Sequence, residues 1–426
     1  MLGPAEESSM PRPIQHNQSP RGSLAPAVWL CCLATALLQG CQPRESLQRA
    51  HREVATPIPA TIAAGTGCSE GELDASTSTD AAADIGDAAP YTGRDAAVRG
   101  GEVTHAIIVS VDGLGGIYLE QGLTEGRLPN FAALKEWGAS TTEARADVTY
   151  TVTLPNHTSI ISGRPVSPVE GLAADINHGY YDNVIPGPEQ TLHNSGNPNL
   201  EYLPSVFDTA HDHGLRTCFY AGKTKFILFT RSYDSQNGAL DQFGTDDGRN
   251  KIDRCVIVEA STAHLIATAA ADMAAGSCDL VFLHIPDLDA LGHQSGWGSE
   301  VWRSGLDRVD AWIGQLISVA ESDRSSPWGM VITADHGGHD TAHSDPTIYE
   351  DYRIPFFALS PTVPPGSDLY AITSGRRAHP GTQRPDYLEP VQPVRNLDAA
   401  DAALGMLGLE PIAGSFAVGL LRPTDD

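Results

Sequence analysis

The sequence predicts an α/β domain with a mostly parallel central sheet and helices on both faces, a three-layer sandwich. Three observations carry this reading. Short apolar runs rich in β-branched residues recur from Glu102 onward. They are continuous rather than alternating in polarity, as strands buried on both faces require. Helix-length patterns lie between them, and that alternation indicates crossover connections. The first run is Ala106 to Val111, and Thr217 to Tyr220 is a shorter one. Leu280 to Ile285, Met330 to Ala334 and Phe356 to Leu359 complete the set. The clearest helical patterns are Leu128 to Trp137, Thr262 to Ala275 and Val301 to Val319. In the first of these, Phe131, Leu134 and Trp137 fall on one face and are expected in the core.

Composition narrows the function classes. The 426 residues are 41% hydrophobic and 19% charged, a globular balance. Asp and Glu total 53 against 27 Lys and Arg, a formal charge of -26. That excludes a general nucleic-acid binder, whose affinity comes from neutralising phosphates. A single small phosphate ester remains compatible, because a metal can supply local positive charge.

The N-terminal region reads as an address. The apolar stretch from Leu24 to Leu38 is shorter than the about 20 residues of a spanning helix, but suits a signal-peptide core. It ends Leu38-Gln39-Gly40-Cys41, which resembles a bacterial lipobox. Residues 1–41 are therefore expected to be a leader of lipoprotein type, with an ordinary cleaved signal peptide as the alternative. Export to the cell envelope or periplasm follows, with membrane contact only through the lipid on Cys41. Residues 42–100 are rich in Ala, Thr, Ser, Gly, Asp and Pro and are expected to be a disordered tether. Residues 101–426 form the folded domain. Cys68, Cys218, Cys255 and Cys278 would then lie where disulfides are permitted, with three full pairings open.

Carboxylates follow three of the strands. Asp112 follows the first run, Asp287 and Asp289 follow the run ending at Ile285, and Asp335 and His336 follow the run ending at Ala334. Ligands in open α/β sheets bind beyond the carboxyl ends of strands. One such Asp alone is usually a turn residue or helix cap; three together point to a site. Asp289 and His293 stand four apart, on one face of a helical turn. The segment from Asp335 to His343 adds His336, His339 and His343. Asp and His ligands without Cys suit zinc, manganese or iron. In Thr151 to Gly163, Pro155 is placed to open a helix and Gly163 to close it. Thr153 would sit at the N-terminus, where free amides and the dipole favour an anion. A hydroxyl held there beside a metal is a candidate nucleophile.

These segments together resemble the alkaline phosphatase superfamily, within it the type I phosphodiesterase/nucleotide pyrophosphatase family. The motifs are VSVDGL at Val109–Leu114, TLPNHTSIISGRP at Thr153–Pro165, HGYYDN at His178–Asn183, DALGH at Asp289–His293 and TADHGGH at Thr333–His339. The resemblance implies an alkaline-phosphatase-like fold and a two-zinc hydrolase acting on a small phosphate ester. Its first metal would be held by Asp112, Asp335 and His336, with Thr153 as both nucleophile and ligand. Its second would be held by Asp289, His293 and a later His. For that last ligand His343 is expected first, His339 second and His379 third. Asn183, with Asn177 as the weaker candidate, would donate to a phosphoryl oxygen. Asn156 and Lys223 are expected to meet substrate. Asp287 would either orient a ligand His or cap a loop.

The resemblance further implies in-line attack by Thr153, a phosphoryl-threonine intermediate and its hydrolysis. Phosphodiester or pyrophosphate substrates are expected. Phosphomonoester or phosphonate hydrolysis on the same scaffold is the alternative, and a non-catalytic metal-stabilised binding protein a remoter one. A segment between Gly163 and His178 departs from the nucleotide branch, which is shorter there.

Overall fold

The computed structural model describes residues 68–69, 103–323, 325–417 and 419–421. The expected leader, Cys41 and nearly all of the tether lie outside the described residues.

Among the described residues, nine strands form one sheet: β1 (Cys68–Ser69), β2 (His105–Val111), β3 (Ala139–Arg145), β4 (Thr217–Ala221), β5 (Arg254–Ile257), β6 (Leu280–Ile285), β7 (Trp328–Thr333), β8 (Arg353–Leu359) and β9 (Ser367–Asp368). Their order is β1-β5-β4-β6-β2-β7-β8-β3-β9. Only β8 runs antiparallel to its neighbours, β7 and β3. Helices cover the sheet in an α/β arrangement.

The central strands are buried at every position: all of β4, β6, β7 and β8, and β2 beyond His105. Continuous apolar runs formed these strands because no face meets water. Strand β3 was not foreseen. Its sequence, ASTTEAR, has almost no apolar pattern, and its ladder with β8 is irregular between Thr141 and Ala144.

The expected helices form at Pro129–Trp137, Thr262–Ala274 and Glu300–Ala320. The last starts where Ser299 Oγ accepts the Trp302 N–H at 3.2 Å. Phe131 and Leu134 are buried and Trp137 is partly so. The helices Gly116–Thr124 and Asp398–Met406 escaped the sequence reading; the second is the more telling. It is rich in Ala, and its buried acids are matched individually. Asp398 accepts from the Arg395 N–H and from Arg377, and Asp401 from the Ile412 N–H. It packs on β2 and β7 and against the helix carrying Thr153.

Cys218 and Cys278 form a disulfide at a sequence separation of 60. Cys255 is also disulfide-bonded, and its backbone pairs in register with Cys68.

Candidate metal centre and active site

Strand order explains the site. β2 lies between β6 and β7, and β4 lies beside β6. The segments leaving these four strands therefore meet at one rim. They carry Asp112, Asp289, Asp335 with His336, and Lys223.

The first set is Asp112, Asp335 and His336, all fully buried. His336 Nε2 lies 3.4 Å from Asp112 Oδ1 and 3.3 Å from Asp335 Oδ2. The other oxygens are already committed. Asp335 Oδ1 accepts the N–H groups of Gly113 at 3.1 Å and His336 at 2.9 Å. Asp112 Oδ2 accepts from Lys223 Nζ at 2.6 Å and from His284 Nε2 at 3.0 Å. What remains is Asp112 Oδ1, Asp335 Oδ2 and His336 Nε2, three buried atoms without a partner.

The second set is Asp289, His293 and His343. The His293–His343 Nε2 separation is 3.1 Å, and these atoms lie 3.3 and 3.4 Å from Asp289 Oδ1. Asp289 Oδ1 is again buried without a hydrogen bond. His343 stacks on His336 at 3.7 Å between centroids, which joins the two sets.

Both sets fit a divalent cation. Tetrahedral zinc with bonds of about 2.05 Å spaces neighbouring ligand atoms about 3.3 Å apart. The imidazoles are oriented to match. Nδ1 of His293, His336 and His343 faces the carbonyls of Thr341, Gly337 and Thr151 at 3.0, 2.8 and 2.6 Å. Each Nδ1 therefore donates, and each Nε2 offers a lone pair.

The other two candidates for the last His stand elsewhere. His339 Nδ1 bonds Asp351 at 2.6 Å, and the His379 ring packs on Tyr370.

Electrostatics follow from burial and crowding. Burial disfavours charge on Asp112, but Lys223, His284 and His336 outweigh it and hold the carboxyl well below the usual range. Burial, and then the Asp112 charge, push Asp335 well above it. Burial pushes the His343 imidazole down to about 3, so it is neutral and able to ligate.

Thr153 opens the helix Thr153–Ser162, with Val152 as N-cap and Gly163 closing it at φ 66°. It is almost wholly buried. Its carbonyl accepts from His157 Nδ1 at 2.8 Å, and that nitrogen lies 3.5 Å from Asp335 Oδ2. Two residues upstream, the Thr151 carbonyl holds His343. Thr153 is thus strung between the two ligand sets. The next amide, Leu154 N–H, donates to Asn183 Oδ1 at 3.0 Å. Lys225 Nζ donates to the same oxygen at 2.9 Å. This fixes the Asn183 amide with Nδ2 turned away from both donors.

Several expected residues have other tasks. The Asn156 side chain is fully buried and does not face an open site. It donates to the carbonyls of Tyr150 and Val152 and accepts from Asp147 N–H and Asn396 Nδ2. Its amide shapes the loop before Thr153, which corrects the expectation that it meets substrate. Asn177 is tied to Val166 and Asn197. Asp287 accepts from Thr262 Oγ1 at 2.6 Å at the start of its helix, so it orients no ligand His. Lys223 reaches both Asp112 and Asp289, at 2.6 and 2.7 Å.

Sequence reasoning missed Lys225, Trp297 and His284. Trp297 donates from Nε1 to the Gly113 carbonyl at 2.8 Å and packs beside His293 and His343. It explains Gly338, where a Cβ would fall 2.2 Å from the indole. Gly337 and Gly338 serve close packing rather than an unusual backbone, since neither has positive φ. Gly113 does, at φ 77°, and a Cβ there would lie 2.9 Å from Asp289 N.

The model of the type I phosphodiesterase/nucleotide pyrophosphatase family matches residues 106–354, more than half of the chain. The human GPI ethanolamine phosphate transferase 2 catalytic subunit is 26% identical over 179 residues. That match covers 41% of this chain and only 17% of the human protein. Among solved structures, murine ectonucleotide pyrophosphatase/phosphodiesterase 5 aligns with 12% identity and a TM-score of 0.48, covering 73% of this chain and 96% of that one. Phosphonoacetate hydrolase from Sinorhizobium meliloti 1021 aligns with 21% identity and a TM-score of 0.38, covering 56% and 57%.

Proposed function

The chain belongs to the type I phosphodiesterase/nucleotide pyrophosphatase family, and from that premise we propose that it is a two-metal hydrolase of phosphodiester or pyrophosphate bonds, with Thr153 as nucleophile. One observation carries the reading: two neighbouring sets of three ligand atoms, each histidine Nε2 lying 3.1 to 3.4 Å from its partners, are tied to the start of the helix that Thr153 opens.

Asp112, Asp335 and His336 would hold one cation and Asp289, His293 and His343 the other, zinc in both by donor type. Bound there, the cations supply Lewis-acid charge and lower the pKa of a coordinated hydroxyl or water.

The protein's own groups do the rest. Thr153 Oγ attacks phosphorus, forming the phosphoryl-threonine bond as the ester bond to the leaving oxygen breaks. Water then cleaves the phosphoryl-threonine and restores the hydroxyl. Asn183 would donate from Nδ2 to a phosphoryl oxygen, its Oδ1 being held by Leu154 N–H and Lys225. His157 ties the Thr153 backbone to Asp335 and limits its travel.

Lys225 favours a second reading of substrate charge. Burial and then Lys223 push the Lys225 pKa down, so this cation gains from an arriving anion. An ammonium group not paired with a carboxylate, beside Asn183, suits a dianionic phosphomonoester or a phosphonate. Residues 1–41 and 42–100 would export and tether this domain at the cell envelope.

The deciding assay compares p-nitrophenyl phosphate, bis-p-nitrophenyl phosphate and a thymidine p-nitrophenyl ester, each with and without chelator. Chelator-sensitive turnover of the diesters upholds the first reading, and of the monoester alone the second. Metal-replete protein inactive on all three would sink both.

A further inference from the structure

Five histidines surround the candidate centre, and one is wired the opposite way from the rest. His157 turns Nδ1 toward the Thr153 carbonyl. His293, His336 and His343 turn Nδ1 toward carbonyls. His284 turns Nδ1 toward the Gly222 N–H, at 3.2 Å. A backbone N–H can only donate, so His284 Nδ1 accepts and its proton resides on Nε2. That Nε2–H points at Asp112 Oδ2, 3.0 Å away. His284 is therefore a donor to a ligand and not itself a ligand.

Sheet register places it there. His284 on β6 pairs with Ala221 of β4 on one side and Ser110 of β2 on the other. Gly222 is the next residue after Ala221, and Asp112 follows two residues after Ser110. The approach is close: a Cβ on Gly222 would fall 2.4 Å from Pro286 Cγ. Phe226 and His157 lie 4.4 and 5.0 Å from the fully buried ring and limit its rotation.

Asp112 Oδ2 receives two donors, His284 Nε2 and Lys223 Nζ. Oδ1 receives none and faces His336 Nε2 at 3.4 Å. Resting on the metal-hydrolase reading above, we propose that His284 is a positioning residue that selects Oδ1 of Asp112 as the atom offered to the cation. Without His284, Oδ2 competes for that role and the carboxylate loses its fixed rotation. The same ring also ties the Gly222 backbone, and with it the start of the Lys223 loop, to the metal ligand.

Two measurements test this. The first uses the wild-type protein with ¹⁵N-labelled histidine, before and after zinc is added. His284 should show the Nε2–H tautomer in both states, and His293, His336 and His343 the Nδ1–H tautomer. An Nδ1–H tautomer at His284, or a coordination shift there on adding zinc, overturns the proposal. The second is chelator competition with His284→Leu and His284→Gln. Leu should weaken one of the two zinc-binding steps about 10- to 100-fold and leave the other nearly unchanged. Gln keeps a donor and should restore most of the loss, and in the Leu variant kcat should fall more than KM rises. Equal zinc affinity in wild type and the Leu variant overturns the proposal, as does equal loss in both variants at both steps. If the Leu variant does not fold, Gln and the tautomer spectrum still decide. A wild-type chain that binds no divalent cation would instead defeat the hydrolase reading, a result distinct from the others.

Discussion

The Nε2 atoms of His293 and His343 face each other across 3.1 Å, and both rings give their Nδ1 proton to a backbone carbonyl. Two lone pairs at that distance repel unless a cation or a proton lies between them. Asp289 Oδ1 completes the triangle.

That triangle separates His343 from its neighbour in the same loop. His343→Ala should remove about one equivalent of zinc and lower kcat/KM by at least 10²-fold, in line with loss of a ligand in a two-metal site. His339→Ala, which breaks only the bond to Asp351, should keep both equivalents and most activity. Metal analysis of the purified variants is the check; equal zinc loss from both would contradict the placement.

Thr153→Ala should lower turnover by about 10³-fold or more, as expected on removing a nucleophile. Zinc content and melting temperature should stay near wild type, because no ligand set depends on the Thr153 hydroxyl alone. Retained configuration at a chiral phosphorus would support the covalent route. A zinc-replete, fully active alanine variant would refute it.

Removing the metals should destabilise the fold. Asp112 and Asp289 sit together with Lys223 as their main counter-charge, and burial and the Asp112 charge push the Asp335 carboxyl above the usual range. Cations bound to the native state alone stabilise it, by about 4 kcal/mol at a thousandfold excess over Kd. Chelator should lower the melting temperature, and zinc should restore it. An unchanged melting curve would argue against native metal binding.

His178 predicts the pH dependence of the metal-free protein. Burial pushes its imidazole down to about 3, from an ordinary 6.5. Nδ1 accepts the Tyr180 N–H, and Nε2 lies 3.1 Å from Ser159 Oγ. Below pH 6.5 the unfolded chain binds a proton that the folded one refuses. The stability is full above pH 6.5 and declines toward pH 3, by up to about 1.4 kcal/mol per pH unit. Urea midpoints at pH 7.5 and 5.0, in chelator, should differ more for wild type than for His178→Gln. Equal differences would show that His178 is not the source.

The Cys218–Cys278 bridge closes a loop of sequence separation 60 that starts within β4, includes β5 and ends just before β6. Chain-entropy reasoning assigns such a loop about 4 kcal/mol. The double Cys→Ser variant should unfold at clearly lower urea, with its zinc stoichiometry preserved. Urea unfolding monitored by far-UV circular dichroism measures this.

The sequence by itself determined the sheet centre and pointed to the residues proposed as ligands, apart from the last histidine. Continuous apolar runs such as Ala106–Val111 and Leu280–Ile285 can only be satisfied by burial on both faces, and the acids that follow them mark the strand ends. The i, i+4 spacing of Asp289 and His293 is likewise a local property of one helix. Strand β3 and the helix Asp398–Met406 were not legible, because β3 lacks an apolar alternation and the helix is buried nearly all round, acids included, so neither shows a one-sided apolar pattern. Which of His339, His343 and His379 joins Asp289 was open in sequence. It is decided by a carbonyl on another segment, Thr151, that receives the His343 Nδ1 proton. The tasks of Asn156, Lys225 and His284 depend in the same way on partners remote in sequence, since hydrogen bonds are directional and their partners are fixed only once the chain has packed.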